Sequence, residues 1–260
     1  MLRPRIIPCL LVKNKGLVKT INFKDGKYLG DPINAVRIFN EKEVDELIVL
    51  DIDAAANGNE PDFKMIENLA AECRMPFCYG GGIKTVHQAQ RIISLGVEKV
   101  ALSSAVVDNP ELIPQIADAV GSQSVVAVID VKKKMLSSKY EVRIHNGKKN
   151  TGKCPIDFAR RLEDLGVGEV VVNSIDNDGN MKGYDITLID RIRNSITVPL
   201  TVLGGAGSLD DIGKLIAKYG IIGAAAGSLF VFKGVYKAVL INYPNRAEKD
   251  ALIKEKYHIL

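Results

Sequence analysis

The chain contains an internal alignment with itself. "PFCYGGGI" from Pro76 recurs as "PLTVLGGAG" from Pro199, and "LDIDAAANG" from Leu50 recurs as "NSIDNDGN" from Asn173, both pairs 123 residues apart. "KVALSSAVV" at Lys99 matches "IGAAAGSLF" at Ile222 with one residue inserted. A repeat holding several elements per copy restricts the fold to architectures that can be halved. Short apolar runs cover 6–12, 47–52, 76–79, 99–102, 124–129, 169–172, 199–203 and 221–226. Helical patterns fall between them at about 32–43, 61–73, 85–95, 110–119, 155–165, 185–195, 208–218 and 229–242. Strands alternating with helices require a parallel sheet. Eight such units in 260 residues predict a single α/β domain over 1–260, a (β/α)8 TIM barrel of two fused half-barrels at about 1–122 and 123–243. A doubly wound open sheet is the weaker alternative, because the first βα turn has no G-x-G-x-x-G. A long first loop (13–30) follows strand one, and a hairpin-like insert (132–151) follows strand five. The tail, 244–260, reads as a polar, loosely attached helix.

Composition narrows the setting. A net charge of +4 is spread over interspersed acids and bases, which argues for a solvated surface and against a nucleic-acid face. Cys9, Cys73, Cys78 and Cys154 form no C-x-x-C pair, and two lie in strand-like runs, as in a reducing compartment. The sequence starts directly in strand pattern without a signal-type segment. No apolar run approaches the roughly 20 residues that span a bilayer. The expectation is a cytoplasmic protein without membrane contact. His87, His145 and His258 fall on a helix, the insert and the tail, so no histidine ligand set is expected. Neither a metal nor an organic cofactor is expected.

In barrels of this kind the chemistry sits where the strands end. The Gly-rich turns after strands three and seven, Gly81-Gly82 and Gly204-Gly205, let backbone N–H groups approach an anion because no Cβ blocks them. Ser103-Ser104 and Gly227-Ser228 follow strands four and eight, where helix amides favour negative charge. One Gly-Gly alone is a tight turn. Two in register, each beside a serine turn, imply a ligand phosphorylated at both ends. Asp51, Asp53, Asp130, Asp176 and Asp178 also reach strand ends. Asp53 and Asp176 read as turn caps, whereas Asp130 ends an apolar run directed into the mouth. The repeat sets Leu11 opposite Asp130, at the ends of strands one and five.

The ordered set "RIIPCL", "DPI", "DELIVLDID", "GGGI", "DNPELI", "GSQSVV", "GKKNTG", "SIDNDG", "GYD" and "GGAG" resembles the cyclase subunit of imidazole glycerol phosphate synthase over about residues 1–240. The related isomerase of the same pathway shares the repeat but lacks "GKKNTG" and the "SIDNDG" form. The resemblance implies a half-barrel fold, a bisphosphorylated ligand, and a glutaminase subunit docked on the N-terminal face. Ammonia released there crosses the barrel to the substrate. In the family an Asp at the end of strand one and another at the end of strand five form the acid–base pair. Asp130 matches the second, but Leu11 stands where the first is expected. Lys19 and Asp51 match catalytic positions, and Cys9 and Asp178 match pocket positions. Ser103 replaces a usual Asn, Asn173 a Thr and Leu203 a Ser. Arg5, Glu46, Lys99 and Glu169 match the charged ring that gates ammonia entry. These departures resemble the cyclase-like branch associated with acetamidino modification of surface-polysaccharide sugars. There the barrel and a glutaminase feed a separate sugar amidotransferase. A working histidine-pathway cyclase and a non-catalytic phosphate-binding regulatory subunit are the alternatives.

Overall fold

The computed structural model describes residues 3–135 and 137–257; of the expected tail, 258–260 and with them His258 lie outside the described residues. Eight parallel strands close on themselves: β1 (Arg5–Lys13), β2 (Leu47–Asp51), β3 (Phe77–Gly80), β4 (Lys99–Leu102), β5 (Val125–Lys133), β6 (Glu169–Ser174), β7 (Leu200–Leu203) and β8 (Gly223–Ala226). Each pairs with its chain neighbours, and β8 returns to β1, so the sheet is a closed barrel. The helices α1 (Pro32–Glu41), α2 (Phe63–Glu72), α3 (Val86–Ser94), α4 (Leu112–Val120), α5 (Pro155–Asp164), α6 (Ile186–Arg193) and α7 (Leu209–Tyr219) pack outside it.

The repeat is visible in how the elements start. Asp62 caps α2 by accepting from Met65 N, and Asp185, 123 positions later, caps α6 by accepting from Leu188 N. Thr85 and Gln88 form a capping box on α3, and Ser208 and Asp211 form the corresponding box on α7. Side chains that satisfy the first free amides in this way fix where a helix begins. Strand register repeats as well. Leu11 pairs with Leu50 and Leu50 with Gly80, while Asp130 pairs with Asn173 and Asn173 with Leu203. Leu11 and Asp130 are therefore equivalent in the two halves.

Strand alternation separates two buried layers. Ile6, Leu10 and Val12 face the helices beside Phe39, Ile66 and Leu69. Ile7, Cys9 and Leu11 face the lumen with Ile48, Cys78, Val126, Val128 and Val171. The same alternation along β5 turns Asp130 inward with Val126 and Val128.

Several expectations need correction. The first loop is an ordered antiparallel hairpin, Gly16–Ile21 with Lys24–Gly30, because β1 continues past the barrel to pair with it. The insert after strand five is hairpin-like as expected: β5 runs to Lys133 and pairs antiparallel with Tyr140–Ile144. The helix expected at 229–242 is one turn (Ser228–Val231) followed by a ribbon of Phe232–Lys233 and Ala238–Val239, reversed at Gly234, whose φ of +72° suits glycine. The region expected as one helix at 110–119 has an extra turn before it, Ser104–Asp108.

The C-terminal helix α8 (Arg246–Tyr257; the one-turn helices are left unnumbered) is attached rather than loose. Lys249 Nζ lies 2.9 Å from Asp45 Oδ1, and Asp45 also accepts from Ile6 N. Tyr243 Oη donates to Ile6 O at 2.8 Å. These contacts fix the strand start beside Arg5. Lys249→Met removes the partner of a largely buried carboxylate and is expected to lower stability by about 3 kcal/mol, read as a shift in urea midpoint.

Candidate active site at the carboxyl ends of the strands

A cavity of about 450 Å³ opens where the strands end. Leu11, Cys9, Val128, Leu203 and Asn173 form its deep wall, with Asp130 among them. Asp130 Oδ1 accepts from Asn173 Nδ2 at 3.0 Å. Desolvation pushes the Asp130 carboxyl up to about 7, with Asp178 adding to the rise and hydrogen bonds from Asn173 and Ser103 opposing it. Leu11 lies in the same wall and carries no ionisable group, so the two strand ends supply a single acid. Burial pushes the Cys9 thiol up to about 12, against the pull of Lys19, so it stays neutral near pH 7.

Lys19, which the sequence places in a mobile loop, is only 7% exposed and sits on the hairpin strand, its Nζ 2.6 Å from Asp178 Oδ1. Thr20 donates to the other Asp178 oxygen at 2.9 Å. Asp51 lines the cavity, but its Oδ1 accepts from Asp53 N and Ala54 N, both at 3.1 Å, which makes it a turn cap as well. Burial raises its pKa while those amides oppose the rise. Asp53 and Asp176 accept from the backbone amides of Asn14 and Lys133 and so anchor the roots of the two hairpins.

The two Gly-Gly turns differ in access. Gly81, Gly82, Ser103 and Ser104 line the cavity, as does Gly227, but Gly204, Gly205 and Ser228 lie behind its wall. Gly205 is tightly covered by the Gly183 carbonyl, and a Cβ on Gly227 would meet Lys19 Cε at 3.1 Å. The Gly81-Gly82 turn thus faces the cavity and the Gly204-Gly205 turn does not, although Asp51 O packs against Gly81 much as the Gly183 carbonyl packs against Gly205.

Sequence reasoning missed two groups. The sequence places His145 only in the insert, but the insert folds back over the mouth and His145 lines the cavity. Asn146 Nδ2 donates to Ile52 O at 2.9 Å, which holds it there. The other is Thr201, at the opposite end. There Arg5 pairs with Glu46 and, at 2.6 Å, with Glu169, and Lys99 reaches Glu46 at 2.8 Å and Glu169 at 2.9 Å. Thr201 Oγ1 donates to Glu169 Oε1 at 2.5 Å. Burial alone would raise the Glu169 pKa, but Arg5 and Lys99 hold it down at about 2. Its position in "PLTV", on the inward side of β7, was the available signal. Beneath the cavity floor, Ile7, Ile48, Cys78, Val126, Val171 and Ala225 fill the lumen down to this ring. Among the described residues no helix is long and apolar enough to cross a membrane, and no group of three or more His, Cys, Asp or Glu is placed to hold a metal.

The raised Asp130 pKa has a direct consequence for stability. Between the unfolded value near 3.9 and the folded value of about 7, the folded chain binds more protons than the unfolded one. Stability contributed by this group therefore falls as pH rises through that window. Asp130→Asn keeps an acceptor for Asn173 and removes the buried charge. It is expected to stabilise the chain at pH 8 but not at pH 4, measured by urea unfolding at both pH values.

Comparison with known proteins agrees with the geometry. The family model described as "Histidine biosynthesis protein" matches residues 5–237. A Leptospira borgpetersenii protein provisionally named imidazole glycerol phosphate synthase subunit HisF is 62% identical, over 97% of this chain and 99% of its own. A Pseudomonas aeruginosa protein provisionally named as such a subunit, hisF2, is 52% identical over 96% of this chain and 99% of its own. The imidazole glycerol phosphate synthase subunit HisF of Lactococcus lactis subsp. cremoris is 39% identical over 88% of this chain and 89% of its own. With a closed eight-stranded barrel and near full-length similarity, the chain belongs to the histidine biosynthesis protein family, within its imidazole glycerol phosphate synthase cyclase-subunit (HisF) group.

Proposed function

We propose that this chain is the ammonia-conducting barrel of a glutamine-dependent complex in which cyclase chemistry is impaired. The observation that carries this reading is Leu11 in the deep wall beside Asp130, above an intact ring of Arg5, Glu46, Lys99 and Glu169. A glutaminase subunit docks on the ring face and releases ammonia there. The ring, closed by four ion pairs, refuses ions. The apolar layer above it admits a small neutral molecule as side chains move. The neutral thiols of Cys9 and Cys78 keep that layer uncharged; burial raises both pKa values.

At the cavity, cyclisation of a bisphosphorylated ribulosyl substrate requires an acid and a base that act together. With only Asp130 left, the rate falls by about 10²–10⁴-fold. The nitrogen then goes to a separate amidotransferase that amidinates a surface-polysaccharide sugar. The Gly81-Gly82 turn lining the cavity supports binding of a phosphorylated ligand at the mouth.

The test uses the purified chain with its glutaminase. The expected result is a stable complex, stimulated glutamine hydrolysis, and negligible imidazole glycerol phosphate formation from the ribulosyl substrate, with or without ammonium salts. Robust product formation by the unaltered chain would show a working cyclase. Leu11→Asp is expected to raise product formation by about 10²-fold or more if the missing acid is the sole defect.

A further inference from the structure

The ribbon that stands in place of the last barrel helix carries an uncovered apolar tip. Val235 and Tyr236 are 94% and 97% exposed, and Val239 and Leu240 are exposed with them. Nine large apolar side chains are exposed among the described residues, and four of the nine fall between Val235 and Leu240. Single exposed apolar residues are ordinary, whereas a concentration of them marks a surface that another molecule covers.

The tip is built as a tight turn. Lys237 N donates to Gly234 O at 3.1 Å, which leaves Val235 and Tyr236 as the two central residues. At its base Leu240 N donates to Val231 O, and Asn242 Nδ2 donates to the carbonyls of Phe232 and Leu240. An apolar pair held out on a fixed turn loses little freedom when it is enclosed, and tyrosine is among the side chains that most often anchor interfaces.

Charge tells what kind of surface fits. No Asp or Glu occurs between Asp211 and Glu248, whereas Lys214, Lys218, Lys233, Lys237 and Arg246 do. Lys233 and Lys237, one on each side of the tip, have no acidic partner among the described residues. Lys27 of the first hairpin lies over the Phe232 ring, 5.3 Å from its centre, and brings a third positive charge to the base. A second copy would set these lysines against like charge. A bilayer would gain two side chains, less than the single acyl chain that already anchors only marginally. A protein cleft encloses the pair on all sides and offers carboxylates at its rim. The ribbon also belongs to the carboxyl end of the barrel. It starts one helical turn after Gly227, which lines the cavity, and Lys27 lies on the hairpin whose Phe23–Gly26 tip lines it too.

We propose that the Gly234–Lys237 tip, with Lys233 and Lys27 beside it, is the docking knob for the amidotransferase, seated in an apolar cleft of that protein rimmed by carboxylates. The proposal rests on the conduit reading above and adds the surface by which the third component is held. That surface is separate from the ring face on which the glutaminase docks, so both proteins bind one barrel at once.

The test measures binding of the purified amidotransferase of the source organism to the full chain, with and without glutaminase, by biolayer interferometry. Saturable binding is expected, with an association rate that falls as salt rises. Val235→Ser combined with Tyr236→Ser, a change at exposed positions, is expected to weaken affinity about tenfold or more. Lys233→Glu combined with Lys237→Glu is expected to slow association more than it speeds dissociation. No binding by the unaltered chain, or undiminished affinity in the serine variant, would overturn the proposal. A concentration-dependent dimer of this chain that the serine variant dissolves would overturn it, as would Tyr236-dependent binding to phosphatidylglycerol vesicles or loss of glutaminase affinity in that variant. The tip would then be covered by a second copy, a bilayer or the glutaminase. Failure of the unaltered chain to bind and stimulate glutaminase counts against the conduit reading, whereas amidotransferase binding that ignores the tip counts against the knob alone.

Discussion

Closure of the barrel is the constraint on which everything else depends. Once eight parallel strands pair around a ring, each inward side chain has a fixed height and fixed neighbours. Leu50 must sit between Leu11 and Gly80, and Asn173 between Asp130 and Leu203. The nearest acid on the adjacent strand, Asp51, is paired with Val12, one position beyond Leu11. A one-residue slip would also send the inward set to the helix side. Which side chain stands at position 11 is therefore fixed by the register of the whole barrel.

The two ends of the lumen handle charge in opposite ways. At the amino end, Arg5, Lys99, Glu46 and Glu169 are buried but paired, so each charge is offset by two of the opposite sign. At the carboxyl end Asp130 has only neutral partners, Asn173 and Ser103, and desolvation dominates. The same low polarity that keeps the ring's ion pairs tight keeps the lone acid partly protonated. One end carries four mutually neutralised charges, while the other carries a single acid that titrates near neutrality.

Much of this was legible in the sequence, for physical reasons. The repeat fixed the equivalence of Leu11 and Asp130, and strand alternation along "VVAVID" pointed Asp130 inward. Apolar periodicity placed helices at about 61–73, 85–95, 185–195 and 208–218, and in the structure Asp62, Thr85, Asp185 and Ser208 cap them. What escaped notice depended on long-range pairing. The first hairpin forms because β1 extends beyond the barrel to pair with it, which no local pattern announces. Lys19 is buried only because that hairpin folds onto Asp178. The apolar pattern after Ser228 reads as a helix, yet Gly234 and the pairing of Phe232 with Val239 turn it into a ribbon. The Asn173–Asp130 hydrogen bond was not legible because an amide's partners are fixed only by the folded chain.

The two long loops cross over. The hairpin that leaves the first half is held by Asp178 of the second, and the insert that leaves the second half is held by Ile52 of the first. The repeated halves are reciprocal: each supplies the strap that the other fastens. A solitary half would have one strap with no buckle and one buckle with no strap. The strands repeat between the halves, while the loops tie each half to the other.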